Sequence, residues 1–115
     1  MVKKSILITT LIILIIIAFS IYILTKDRTH VDANEAFAKC LAGKSIIYIQ
    51  TGCHACKQQE ELFGNNYKYL SIVNCLEEPL KCAVVGIDVT PTWIINSQKY
   101  EGAQTIEKLK EVTGC

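Results

Sequence analysis

The chain has 115 residues, enough for one small domain, and its twelve Lys/Arg against eleven Asp/Glu leave a net charge of +1. No basic stripe marks a nucleic-acid binder and no acidic tail marks a solvating one, so charge excludes nucleic acid as a partner and names no other. Half the residues are apolar, but unevenly spread.

Ser5 to Leu24 carries no charge, Gly or Pro. Twenty such residues at helical rise cover about 30 Å, the hydrocarbon thickness of a bilayer. Residues 1–25 are therefore expected to be a single-pass membrane anchor. A cleaved signal peptide is the alternative; its apolar region is shorter, and Ile21 to Leu24 continue past the small residues near Ala18. Lys3 and Lys4 flank one end and Lys26, Asp27 and Arg28 the other, which favours a domain outside the cytoplasm only weakly. All six cysteines lie beyond the apolar run, and an even count in a small extracytoplasmic domain reads as disulfides.

Residues 26–31 read as a linker and 32–115 as the domain. Asp32 with Glu35 resembles a capping box, followed by Phe37, Cys40 and Leu41 at helical spacing and Gly43 as a stop. Ser45 to Gln50 is β-branched and aromatic, a buried strand ending at Thr51-Gly52. Lys57 to Phe63 has strong helix formers and closes at Gly64. Tyr67 to Val73 alternates roughly as a second strand, Pro79 to Val85 makes a short helix, and Thr92 to Ile95 is a third strand. Asn96-Ser97 turns the chain into Lys99 to Glu101, and Ile106, Leu109 and Val112 share one face of a last helix. Strands alternating with helices imply a parallel pair with crossovers, and the hairpin adds an antiparallel edge. The expected architecture is α/β: a thioredoxin-like central mixed sheet flanked by helices, behind one transmembrane helix.

Cys53-His54-Ala55-Cys56 follows a strand and a Gly turn and opens a helix. Disulfide exchange needs an accessible thiolate and a second thiol to resolve the mixed disulfide. The helix amino terminus favours the thiolate of Cys53, and Cys56 lies one turn on. Cys53 is the expected nucleophile and Cys56 the resolving thiol, with the redox-active disulfide as the only cofactor. The competing explanations are half a zinc site, which would need more ligands at suitable spacing, and a purely structural disulfide. No metal is expected. Thr90-Pro91-Thr92-Trp93 puts a proline at a strand entrance, where a cis peptide is open to it; the simpler alternative is a proline that merely starts a strand. In thioredoxin-like folds such a cis-Pro loop packs against the C-x-x-C, and the residue before it, here Thr90, pairs with substrate backbone.

Cys75 and Cys82 flank a span containing Pro79, and a bridge there would staple the loop, stabilising it by roughly 2–3 kcal/mol. Cys40 and Cys115 would then pair by elimination. Two alternatives stay open: Cys75 and Cys82 as an electron relay to Cys53–Cys56, and Cys115 as a free thiol for a partner.

The chain resembles the thioredoxin-like domain found fused to, or beside, bacterial and archaeal homologues of vitamin K epoxide reductase. The matching stretches are Phe37 to Leu41, Cys53-x-x-Cys56 with Gln59 and Glu61 to Gly64, Cys75, Cys82, Gly86-Ile87, Pro91 to Trp93, Tyr100-x-Gly102 and Gly114-Cys115. The resemblance implies a dithiol oxidase for secreted proteins, re-oxidised by a quinone-linked membrane enzyme of that class. There are departures. His54-Ala55 stands where that family and DsbA-like oxidants carry Pro-His, and Gly52 where thioredoxins often have an aromatic. Ile47 occupies the place of the buried acid that helps thioredoxins reduce. A charged His54 would stabilise the Cys53 thiolate and make the disulfide more oxidising; otherwise it points to solvent. The remaining functional readings are a membrane-tethered reductase of the cytochrome-maturation kind and a binding or chaperone module without turnover.

Overall fold

The computed structural model describes residues 1–26 and 33–115. The expected linker and the Asp32 cap lie essentially outside these. The chain divides into two units, the amino-terminal helix and the segment after it. Helix α1 spans Val2–Lys26. Within it Val2–Thr25 is long and apolar enough to cross a membrane, and its side chains are exposed throughout. Thr9, Thr10, Ser20 and Thr25 return their hydroxyls to carbonyls of the preceding turn, so these four hydroxyls need no solvent partner.

The second unit holds a four-stranded mixed sheet flanked by helices, with strands in the order Ile72–Asn74, Ser45–Ile49, Thr92–Ile95, Gln98–Glu101. Helix α2 (Glu35–Ala42) is capped by Asn34, whose side-chain oxygen accepts from Phe37 N–H at 2.8 Å. The helix therefore starts at Glu35, which occupies its first turn. Strand β1 (Ser45–Ile49) leads through a turn into α3 (His54–Phe63). The expected strand over Tyr67 to Val73 is corrected. Gly64–Tyr69 forms a 3-10 helix and strand β2 covers only Ile72–Asn74. The Tyr67/Tyr69 spacing mimics strand alternation, but tertiary contacts decide otherwise. Tyr67 packs on Phe63, with ring centroids 6.5 Å apart, and Asn66 Nδ2 donates to Ala33 O at 2.8 Å. Pairing with β1 begins only at Ile47↔Ile72.

Helix α4 (Pro79–Val85) has Pro at its start, where no N–H is missed. Strands β3 (Thr92–Ile95) and β4 (Gln98–Glu101) form a hairpin around Asn96-Ser97, both at positive φ, as a two-residue type I′ turn demands. β1 runs parallel to β2 and antiparallel to β3. Helix α5 (Ile106–Thr113) is capped by Thr105.

One sheet face and helices α2, α3 and α5 enclose the core. Trp93, Leu41, Ile47, Ile95 and Leu109 are fully buried, and Phe63 lies between Phe37 and Trp93 with centroids 6.2 and 6.0 Å away. Such aromatic packing contributes beyond its buried area. Cys40 and Cys115 are bonded, joining α2 to the carboxy terminus with Cα atoms 6.0 Å apart. Lys44 Nζ adds a bond to Thr113 O at 2.9 Å. This core fixes α3 against the end of β1, and there the cysteine motif lies.

Candidate redox site at the start of α3

Cys53 N–H donates to Gln50 O at 3.1 Å, closing a four-residue turn. Its third residue, Gly52, has φ of 86°, the position a type II turn reserves for glycine. The turn delivers Cys53 to the N-cap of α3, where its Sγ accepts from Cys56 N–H at 3.1 Å. A sulfur at this place meets an otherwise unpaired amide and the positive end of the helix. Cys53 is half-buried and Cys56 only 6% exposed, so the first sulfur is the accessible one. The two are bonded, with Cα atoms 5.2 Å apart.

The Thr90–Pro91 peptide is cis. Thr90 O lies 3.4 Å from Cys53 Sγ, so the Thr90-Pro91 segment faces the motif. Thr92 Oγ1, which donates to Val89 O at 2.6 Å, and Gly102 N–H, which donates to Pro91 O at 2.8 Å, hold this loop from both sides. His54 is the first residue of α3 and is exposed; Ala55 is half-buried. The structure thus brings Cys53, His54, Ala55, Cys56, Thr90 and Pro91 to one end of the sheet. Cys40 and Cys115 are bonded elsewhere, across the core.

Cys75 and Cys82 are bonded, with Cα atoms 5.7 Å apart. Cys75 N–H donates to Ile49 O at 2.8 Å, and Asn74 Nδ2 donates to Thr51 Oγ1 at 2.7 Å, so the stapled loop braces the turn before Cys53. Among the described residues no group of three or more His, Cys, Asp or Glu is placed to hold a metal ion.

Beside the cysteines opens a groove of about 500 Å³, lined in part by Cys53, His54, Cys56, Lys57, Glu60 and Tyr67. Burial, and then the charge of Glu60, push the Tyr67 phenol up to about 12. Neither Glu60 nor Tyr67 stands out in the sequence, where they read as helix surface and strand. Gln59 is marked in the sequence only by the family resemblance, with no role attached, yet it is fully buried behind the motif. Its Oε1 accepts from Trp93 Nε1 at 3.1 Å and from Gln104 N–H at 2.6 Å, while Nε2 donates to Gln104 O at 3.1 Å. One side chain therefore locks α3 to β3 and to the loop between β4 and α5. A glutamine among helix formers gives no periodic signal that would reveal this.

No protein-family model matches the chain. The chain is similar to the thiol-disulfide oxidoreductase LTO1 of Arabidopsis thaliana, at 35% identity over 71 residues, 54% of this chain. It spans 19% of that relative's length. The relative's name and the Cys53–Cys56 pair agree on thiol–disulfide chemistry.

Proposed function

We propose that the chain is a membrane-anchored thiol–disulfide oxidoreductase with a thioredoxin-like domain on the extracytoplasmic side, acting as a dithiol oxidase for secreted proteins. The observation that carries this reading is the placement of a half-buried Cys53 Sγ at the N-cap of α3, facing a cis Thr90–Pro91 bond, with Cys56 buried behind it. In the oxidising direction a substrate thiolate attacks Cys53, and Cys56 leaves as thiolate. A second substrate thiolate then attacks the sulfur of the first and releases Cys53. Thr90 would pair with the substrate's extended backbone. The anchor is supported by the apolar length of α1, and the extracytoplasmic side by three cysteine pairs, which suit an oxidising compartment.

The oxidising direction is supported by Ile47. It is fully buried in the core where a reductase of this fold would carry its acid. Re-oxidation would fall to a quinone-linked homologue of vitamin K epoxide reductase in the same membrane, a partner suggested by sequence resemblance alone. Equilibration against glutathione tests the direction. A potential of roughly −120 to −180 mV fits an oxidant, and one near about −270 mV would overturn the assignment in favour of a reductase.

A further inference from the structure

Whichever way electrons flow, Cys56 must change protonation state. As the resolving thiol it loses a proton, and as the leaving group it regains one. At 6% exposure it has poor access to bulk base. The titratable groups that line its groove are His54, Lys57, Glu60 and Tyr67. An amine or a phenol is not a proton acceptor at neutral pH, and burial reinforces this for Tyr67. His54 begins the helix, exposed, ahead of the motif's second cysteine.

Glu60 is four residues beyond Cys56 on α3, the spacing that puts two side chains on one helix face with Cβ atoms about 5–6 Å apart. It is half-buried and lines the groove, with Lys57 Nζ 3.9 Å from its Oε2. Tyr67, from the 3-10 helix, also lines the groove. Ile47 places no carboxylate beneath the site, and among the described residues lining the groove the carboxylate is that of Glu60.

We propose that Glu60 is the proton acceptor for Cys56 in the resolving step, an inference that rests on Cys53–Cys56 being an exchange site. With a substrate thiol R held as R–S–S–Cys53, the Cys56 proton passes to the Glu60 carboxylate, directly or through one water. The Cys56 thiolate attacks Cys53 Sγ, the Cys53–Cys56 bond forms, and the bond to R breaks. R leaves as thiolate and takes a proton, so R is reduced and the cysteine pair oxidised with no further reactant. In the reverse direction protonated Glu60 returns its proton to Cys56.

The test follows 5-thio-2-nitrobenzoate release by stopped flow. Full-length protein, reduced only at Cys53–Cys56, is mixed with 5,5′-dithiobis(2-nitrobenzoate) between pH 6 and 9.5. Wild type should release one equivalent as Cys53 attacks and a second as Cys56 resolves. In Glu60→Gln the first phase should be unchanged. The second should slow by at least about tenfold at pH 6–7 and rejoin wild type above pH ~9, where a thiol ionises unaided. Glu60→Asp should recover part of the rate. The sign is diagnostic: removing a negative charge favours the nearby thiolate and by itself would speed the step. A second phase in Glu60→Gln equal to or faster than wild type at pH 6–7, or equal slowing of both phases at all pH values, overturns the role of Glu60. If wild type shows no two-phase release, or Cys53→Ser retains the first phase, the exchange-site reading itself fails.

Discussion

Gln59 offers a quantitative check on how the site is held. Its amide satisfies the Trp93 indole N–H and both backbone groups of Gln104, while itself having no exposure to solvent. Gln59→Leu keeps much of the volume and strands these partners. A buried donor left without an acceptor costs about 1–3 kcal/mol. Trp93 is 1% exposed and pays in full, whereas Gln104 is half-buried and water reaches part of it. The expected loss is about 2–4 kcal/mol. For a domain of this size that lowers Tm by about 10–25 °C, read from thermal melts at 222 nm with α1 as a common baseline. In a cycle with Trp93→Phe, the double variant should cost less than the sum of the singles by about 1 kcal/mol or more, since the stranded N–H is gone. A Tm drop under about 4 °C, or strict additivity, would refute the network.

The other bridges separate stability from chemistry. Replacing Cys75 and Cys82 with Ser should cost about 2–3 kcal/mol and leave exchange at Cys53 intact, as urea unfolding and a turnover assay would report; lost turnover at full stability means a relay instead. Removing Cys40–Cys115, which spans 75 residues, should cost more, about 4–5 kcal/mol by the same loop-entropy estimate. Tyr67 sets an alkaline signature. Its folded pKa is raised, so its contribution to stability is complete below the ordinary tyrosine range and is lost as pH rises toward about 12. Absorbance at 295 nm should show one tyrosine ionising near there, and Tyr67→Phe should abolish that step; an unchanged titration contradicts the burial.

The motif and most element positions were legible because each rests on local chemistry: β-branched runs, Gly stops, Pro at a helix start, Asn-Ser at a hairpin. What stayed hidden depends on residues distant in sequence. The 3-10 helix at Gly64–Tyr69 is tied down by Asn66 meeting Ala33, 33 residues away, which no window of sequence displays. The cap at Asn34 went unnoticed for another reason: several polar residues in a row could each start the helix. Gln59 and Glu60 look like ordinary helix-surface residues. Only the packing of α3 against β3 and the 3-10 helix turns one inward and sets the other beside Cys56.

The central claim is that Cys53 forms mixed disulfides which Cys56 resolves. The direct measurement is a trap: Cys56→Ala expressed in cells, alkylated rapidly and run on non-reducing gels. The account predicts reductant-sensitive adducts through Cys53 that vanish in Cys53→Ser/Cys56→Ala. Adducts that persist without Cys53, or none at all in the trapping variant, would contradict it.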